Sequence, residues 1–316
     1  MLGCANIARR SVIPAILDLP ELFDLKYVAS RDLEKAKTVG QEFNCGYLGS
    51  YEELIKSPEI EAIYMPLPTG FHKEWIIKAL DAGKHIYAEK SFASNFDDAC
   101  EMVELAKSKN LAVMEGFMFQ YHSQHQKVFD LIKENRIGAI RHFSATFCFP
   151  PLEKGNFRYD EKIGGGALLD AAGYTVRACH FMMGENFELK ASSLFTDPMI
   201  GTNIFGSAFL TDPVSKVGAT VSFGFDNFYQ SRYEILGQSG KITAERAFTP
   251  RKDFSPKIII ENQGTIEEIM VEPEDHFVNA LREFYSEIFS DTKKEKHYKE
   301  ILLQSQTLEQ LKTMGS

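Results

Sequence analysis

The strongest constraint on the fold is an alternation of short apolar runs with longer amphipathic stretches between Leu2 and about Met114. Short apolar runs are typical of buried strands, and the stretches between them repeat apolar positions with a helical period. Strands and helices that alternate in this way form βαβ units around a parallel sheet. The predicted strands are Leu25–Ala29, Ala62–Met65, His85–Ala88 and Leu111–Met114, and the predicted helices are Leu33–Phe43, Tyr51–Lys56, His72–Ala82 and Phe96–Lys107.

The pattern changes after a further predicted helix at Gln124–Glu134. β-branched and aromatic residues then alternate with polar ones, which predicts one large, mostly antiparallel sheet. A helix introduced by glycines, Ala167–Met183, interrupts this sheet, and helices at Asp275–Ser290 and Tyr298–Thr313 close the chain. The predicted strands are Arg141–Phe149, Ser193–Phe195, Ser207–Leu210, Gly218–Phe225, Arg232–Leu236, Lys241–Ala244 and Lys257–Ile260.

Composition excludes several classes of function. A net charge of −9 opposes binding to nucleic acid, and no apolar run approaches the ~20 residues that a membrane-spanning helix needs. No signal-peptide pattern opens the chain, so we expect a cytoplasmic protein. The five cysteines are scattered singly, which argues against disulfides and against a metal site.

A glycine-containing loop opens the chain. Residues 3–8 have the form G-x-A-x-x-A, a variant of the turn at which a strand ends and a helix N-terminus meets a pyrophosphate. Alone, this pattern is equally compatible with an ordinary turn. A central strand normally precedes such a loop, yet only Met1 and Leu2 stand before Gly3. We therefore expect the natural start to lie upstream of Met1; otherwise cofactor affinity and stability should suffer.

Ser30 and Arg31 follow the predicted strand Leu25–Ala29, at the position where NAD-binding proteins usually place an acid. A hydroxyl and a guanidinium suit the ribose 2′-phosphate of NADP, because arginine binds phosphate oxygens bidentately. NADP is therefore favoured over NAD. The alternative is that Ser30 caps the next helix while Arg31 is merely solvated.

Length and pattern together predict two domains in an α/β chain. A Rossmann-type parallel-sheet domain, residues 1–115, would bind the dinucleotide. An α+β domain with a large, mostly antiparallel open sheet, residues 116–316, would bind substrate and mediate oligomerisation. Helices should cover one face of that sheet, and an apolar opposite face predicts a homodimer or homotetramer.

Several motifs agree in order and spacing with one family. Ala88–Ser91 resembles a Glu-Lys-Pro motif with serine in place of proline, Pro66–His72 resembles a cofactor-contacting loop, and Gly164–Asp170 is a glycine run that precedes Tyr174. With these motifs the chain resembles the glucose-fructose oxidoreductase / inositol dehydrogenase (Gfo/Idh/MocA) family over nearly its whole length. Further stretches are similar to NADP-dependent 3-ketoreductases of nucleotide-linked deoxysugars; they are Met114–Phe119, His122, Gln124–His125, Pro150–Pro151, Arg158–Tyr159 and Ser231–Glu234.

The resemblance implies a site for hydride transfer between NADP and a sugar carbon. Such a reaction moves a proton at the attached oxygen, and Tyr174 is the candidate donor. A phenol has a pKa of ~10, which a nearby ammonium lowers, and Lys90 supplies that charge and stabilises the developing oxyanion. Asp170 would orient Lys90 or bind a sugar hydroxyl. The implied cofactor contacts are Gly3, Cys4, Ala5, Asn6, Ile7, Ser30, Arg31, Pro66, Leu67, His72, Glu89 and Lys90, and the implied substrate contacts are Phe119, Arg158, Tyr159, Asp170, Tyr174 and Arg232.

Two other functions remain open from the sequence. One is an NADP-dependent dehydrogenase of a free aldose or a trans-dihydrodiol, since such family members share much of the pattern. The other is a non-catalytic regulator that senses dinucleotide on the same fold. A regulator would not need Lys90, Asp170 and Tyr174 together, so the sequence favours an enzyme.

Overall fold

The computed structural model describes residues 1–315, which form two compact units. The first unit comprises Met1–Gly116 and Phe277–Ser305, and the second comprises Phe117–His276 and the described residues from Gln306 onward. This division differs from a single cut after residue 115, because the segment Phe277–Ser305 returns to the first unit. Among residues 1–315, no helix combines the length and apolar character needed to span a bilayer.

The strands fall into a parallel set and a mostly antiparallel set. In chain order they are β1 (Tyr27–Ala29), β2 (Gly46–Leu48), β3 (Ala62–Met65), β4 (His85–Ala88), β5 (Val113–Glu115), β6 (Ile140–Cys148), β7 (Glu188–Thr196), β8 (Asn203–Thr211), β9 (Gly218–Gly224), β10 (Gln230–Gly237), β11 (Gly240–Glu245), β12 (Lys257–Asn262) and β13 (Thr265–Met270).

The helices follow the predicted order. They are α1 (Ile13–Leu17), α2 (Leu33–Glu42), α3 (Tyr51–Lys56), α4 (His72–Asp81), α5 (Phe96–Ser108), α6 (Ser123–Lys133), α7 (Gly173–Met183), α8 (His276–Ile288) and α9 (Asp291–Gly315). Side chains cap the starts of α2, α3 and α5 by accepting a first-turn N–H, as is usual for Asp, Ser and Asn; the capping residues are Asp32, Ser50 and Asn95.

The first unit contains the parallel strands. β1 pairs with β2, and β3, β4 and β5 pair in that order. Leu2 forms a parallel bridge with Ala29, and its N–H donates to the Tyr64 carbonyl at 2.9 Å, so residues 1–2 lie between β1 and β3. The carboxyl ends of the strands share one edge of the sheet, which is where ligands bind in open α/β sheets.

The second unit is built on one eight-stranded sheet in the order β13-β12-β11-β10-β6-β9-β8-β7. Within residues 1–315, only the β6–β9 pair of this sheet is parallel. Helix α7 lies against β6 and β9 and is buried along most of its length, so it covers one face of the sheet. The two units confirm the predicted fold class.

Candidate active site

The loop at residues 3–5 leads directly into a helix that begins at Asn6. The backbone of Gly3 has φ +120°, and a Cβ built there would lie 2.9 Å from Cδ2 of Leu67. Gly3 therefore meets both a conformational and a steric requirement for glycine. The first amides of the following helix have no intrahelical acceptor, so this end of the helix can bind phosphate oxygens. The predicted contacts Cys4, Ala5, Asn6 and Ile7 all lie at this turn.

Ser30 and Arg31 follow β1 on the same edge of the sheet. Ser30 is buried, and its hydroxyl accepts the N–H of Asp32 at 3.2 Å. Asp32, not Ser30, caps α2, which removes the alternative that Ser30 serves as that cap. The Arg31 guanidinium lies 5.4 Å from the ring centroid of Phe71, so a neighbouring aromatic side chain supports it.

Lys90 lies just beyond the carboxyl end of β4, in a segment held by side chains from neighbouring elements. The Tyr64 hydroxyl donates to the Glu89 carboxylate at 2.6 Å, and the Phe92 N–H donates to the Glu115 carboxylate at 2.8 Å. The Lys90–Ser91 peptide is cis. Both flanks of Lys90 are therefore fixed by β3 and β5.

His72 lies inside the first unit, between two loops that carry predicted contacts. Its side chain is fully buried, with Nδ1 3.1 Å from the Phe92 carbonyl oxygen and Nε2 2.8 Å from the Leu67 carbonyl oxygen. Burial lowers the pKa of His72, partly offset by these carbonyl contacts. Both ring nitrogens face backbone carbonyl oxygens, and the contact of His72 with the cofactor stays a prediction.

Tyr174 lies in the first turn of α7, where its side chain is only 5% exposed. Its hydroxyl lies 3.9 Å from the sulfur of Met118. Four phenylalanine rings surround the phenol at centroid distances of 4.6 Å (Phe147), 5.5 Å (Phe117), 5.9 Å (Phe248) and 6.1 Å (Phe119). In these apolar surroundings, a polar or charged group that approaches the hydroxyl interacts with it strongly.

Asp170 is paired with Arg158. The Arg158 Nε donates to Asp170 Oδ2 at 2.7 Å, with the two side chains 30% and 13% exposed. Asp170 lies in a π-helical turn, Leu168–Ala172, that continues directly into α7, and such turns are frequent at functional sites. The structure thus pairs two predicted substrate residues: Arg158, from the turn at Phe157–Tyr159, and Asp170, from the π-helical turn that leads into the helix of Tyr174.

The remaining predicted substrate residues divide into three cases. Arg232 pairs with Thr146 on β6, and the next residue, Tyr233, is buried in the core. Because successive side chains of a strand point to opposite faces, Arg232 lies on the face of the sheet opposite the ring of Tyr174. The prediction for Arg232 is corrected for this reason. Phe119 is fully buried beneath Tyr174 and supports its ring instead of lining a surface, which corrects that prediction as well. Tyr159 is half-buried, and its hydroxyl accepts the Leu152 N–H at 2.8 Å.

Sequence reasoning missed the residues that support the site. Tyr64 and Glu115 hold the Lys90 segment, and Met118 and Phe248 contact Tyr174. A carboxylate at the end of an apolar strand, as at Glu115, was the one available signal, because a buried acid needs partners.

Comparison with known proteins connects both halves of the chain with one family. Residues 1–117 match the model of the Gfo/Idh/MocA oxidoreductase family, NAD-binding Rossmann fold, and residues 125–243 match the Gfo/Idh/MocA C-terminal domain. The chain is 39% identical over 293 residues to the dTDP-3,4-didehydro-2,6-dideoxy-alpha-D-glucose 3-reductase of Saccharopolyspora spinosa, covering 92% of this chain and 87% of that protein. The Actinomadura kijaniata protein of the same name is 35% identical over 290 residues, with the same coverage.

Solved structures agree with this assignment. A crystal structure of a 3-ketoreductase from Actinomadura kijaniata, in complex with NADP and TDP-benzene, matches with a TM-score of 0.95 at 34% identity, covering 99% of this chain and 96% of that chain. Structures of that ketoreductase also exist for a tyrosine-to-phenylalanine variant and a lysine-to-alanine variant. The family resemblance read from the sequence motifs is confirmed, and this chain belongs to the Gfo/Idh/MocA oxidoreductase family.

Proposed function

We propose that this chain reduces the 3-keto group of a nucleotide-linked deoxysugar with NADPH. The observation that carries the proposal is the similarity to dTDP-sugar 3-reductases across 92% of the chain. The structural neighbour that matches with a TM-score of 0.95 binds NADP and TDP-benzene, which supports the same cofactor and the same class of substrate.

The residues of the first unit fit NADP. Gly3 leaves room where a Cβ would collide with Leu67, and Asn6 and Ile7 begin a helix whose amides suit the pyrophosphate. Ser30 and Arg31 would hold the ribose 2′-phosphate, for which an acid would be repulsive. Bound NADPH supplies the hydride that the sugar carbonyl carbon accepts.

Tyr174 and Lys90 are assigned to the carbonyl oxygen. The Tyr174 hydroxyl donates its proton to that oxygen as the C=O bond becomes a CH–OH group, and solvent then reprotonates the tyrosinate. The Lys90 ammonium donates a hydrogen bond to the same oxygen and stabilises its developing charge. One observation supports this pairing: the lysine and tyrosine replaced in the A. kijaniata ketoreductase are separated by the same number of residues as Lys90 and Tyr174.

Substitution of the two residues tests the mechanism. Tyr174→Phe and Lys90→Ala should each lower kcat by about 10²–10⁴-fold, the range for loss of a general acid or an oxyanion donor. Melting temperature and NADPH affinity report on folding, and exposed Tyr47→Phe and Lys56→Ala serve as matched controls. Near-normal kcat in both site variants would refute the assignment.

A substrate panel separates the competing activities. NADPH consumption should be fast with a dTDP-linked 3-keto-deoxysugar, and NADPH formation from NADP with D-xylose or a trans-dihydrodiol should be slow. Preferential oxidation of either alternative would replace the proposal with a dehydrogenase function. A failure to turn over any of these compounds more than once, with dinucleotide binding intact, would indicate a regulator.

We also propose a cytoplasmic location and self-association through the open face of the eight-stranded sheet. All five cysteines are free thiols, as is usual in a reducing compartment.

The sheet face opposite α7, which is the open face, carries Phe195, Phe205 and Phe209. Each is about 40% exposed, and the rings of Phe195 and Phe205 are stacked with centroids 4.8 Å apart. Light scattering should therefore detect a dimer or tetramer that Phe205→Lys weakens, whereas a wild-type monomer at micromolar concentration would contradict self-association.

A further inference from the structure

Arg246 differs from the other arginines of the second unit in how it is held. It follows the last residue of β11 with φ +53°, and its guanidinium carbon lies 4.6 Å from the ring centroid of Tyr229 and 5.9 Å from that of Phe254. Two aromatic rings thus restrain a side chain that would otherwise lose about 2 kcal/mol of rotamer entropy on binding a ligand. The guanidinium is pre-organised although it is exposed.

Among the described residues, none is a counter-ion to Arg246. Within residues 1–315, no carboxylate lies within 4.0 Å of its guanidinium. By contrast, Arg158 forms an ion pair with Asp170, and Arg251 forms one with Asp253. An oriented guanidinium with unfilled donors suits a phosphate group, which it can bind through two parallel hydrogen bonds.

The position of Arg246 connects it to Tyr174. The N–H groups of Ala247 and Phe248 donate to the carbonyl and the hydroxyl of Ser231, which fixes the chain as it leaves β11. The ring of Phe248 packs on Tyr174 at 5.9 Å. Because consecutive Cα atoms are 3.8 Å apart, the Arg246 backbone lies within about 8 Å of the Phe248 backbone. Arg246 therefore lies two residues along the chain from a ring that packs on Tyr174.

We propose that Arg246 binds the diphosphate of the nucleotide-linked sugar, with Tyr229 and Phe254 holding its guanidinium in orientation. This assignment rests on the proposed function, and it replaces two arginines expected from the sequence. Arg158 is already neutralised by Asp170, and Arg232 lies on the opposite face of the sheet. Arg246 is therefore a substrate-binding residue that decides between nucleotide-linked and free sugars.

Binding of thymidine diphosphate to the NADP-loaded protein tests the proposal without turnover. By calorimetry, Arg246→Gln should weaken thymidine diphosphate by about 10- to 100-fold, the value of hydrogen bonds to a charged group. Arg246→Lys should recover part of the loss, because it keeps the charge but not the bidentate geometry. Tyr229→Leu should weaken binding by a smaller factor, since it frees the guanidinium without removing it.

The controls separate this proposal from the function on which it rests. Arg251→Gln, in the same loop but paired with Asp253, should bind thymidine diphosphate as the wild type does. Uncharged thymidine and NADPH should bind the Arg246 variants and the wild type equally. Unchanged thymidine diphosphate affinity in Arg246→Gln would place the diphosphate elsewhere and leave the proposed function standing. No binding to the wild type would overturn the nucleotide-linked substrate itself.

Discussion

At the scale of single residues, His72 links the two loops that carry predicted cofactor and catalytic contacts. Nε2 lies beside the carbonyl of Leu67, in the loop after β3, and Nδ1 lies beside the carbonyl of Phe92, two residues beyond Lys90. The lowered pKa of this buried imidazole favours its neutral form, which has one N–H to donate. His72 is therefore a positioning residue, and its single N–H can donate to only one of the two carbonyls at a time.

Replacement of His72 by two different amides should separate these contacts. Asparagine places its NH₂ near the Nδ1 position and keeps the bond toward Phe92, whereas glutamine reaches toward Leu67. We expect His72→Asn to raise the KM for NADPH with kcat nearly unchanged, and His72→Gln to lower kcat about tenfold, the worth of one hydrogen bond. Steady-state kinetics beside melting curves measure this split. Equal losses in both parameters for both variants would mean that His72 is only a packing element.

The sequence located the residues with chemistry better than the residues that support them. Lys90 and Tyr174 belong to motifs that can be read locally, since one follows an apolar strand and the other a glycine run. The Tyr64–Glu89 and Glu115–Phe92 bonds depend on which strands are neighbours, which a linear pattern does not encode. Arg232 was misplaced because the face of a strand reverses with each residue.

At the scale of elements, the glycine turn before α7 brings the loop at residues 158–160 close to the helix. The N–H of Gly165 donates to the Asp160 carbonyl at 2.9 Å, and the N–H of Gly166 donates to the Arg158 carbonyl at 2.8 Å. A Cβ at Gly165 would lie 2.7 Å from both carbonyl oxygens. The absence of a side chain there allows the Arg158–Asp170 pair to form.

Gly165→Ala should therefore displace the loop. We expect a loss of about 1–3 kcal/mol in the free energy of unfolding, the usual cost of an extra methyl group in a close-packed contact. The KM for the sugar substrate should rise more than that for NADPH. Gly155→Ala is the comparison, because Gly155 has φ +84° and a Cβ built there would have no atom within 4 Å. Its loss of unfolding free energy, about 1–2 kcal/mol, therefore measures left-handed backbone strain alone. Equal substrate KM values in the two variants, measured beside urea unfolding, would contradict the displacement.

Elements with strong periodicity were predicted nearly to the residue, and weak ones were missed. Strands β3 and β4 and helix α3 have the predicted bounds, and the predicted helix Ala167–Met183 is observed as the π-helical turn Leu168–Ala172 followed by α7. Strand β2 has three residues and starts with glycine, so it offers no alternation. Strand β13, at the sheet edge, reads TIEEIM and is exposed on both faces. Helix α9 begins at Asp291 instead of the predicted Tyr298. Its first turns are rich in charged residues, so the sequence pattern does not indicate that Lys294 and His297 are buried.

At the scale of the whole molecule, buried histidines couple stability to pH. Burial lowers the pKa of His125 and His276 to about 3 and that of His180 to about 4, because a buried imidazolium loses hydration. In the unfolded chain these groups titrate near 6.5. Between about pH 6.5 and 4 the unfolded state therefore binds more protons, so stability falls as pH falls through this window.

His180 offers a way to isolate one of these contributions. Its Nε2 lies 3.2 Å from the Thr307 hydroxyl, and glutamine can keep a polar contact there without titrating. His180→Gln should flatten the dependence of unfolding free energy on pH by about 1.4 kcal/mol per pH unit between pH 6 and 5. Above pH 8, where neither chain titrates at this position, the difference between variant and wild type should be constant. Urea unfolding at pH 5, 5.5, 6, 8 and 8.5 measures both regions, and parallel curves across the whole range would show that a residue other than His180 takes up the proton on unfolding.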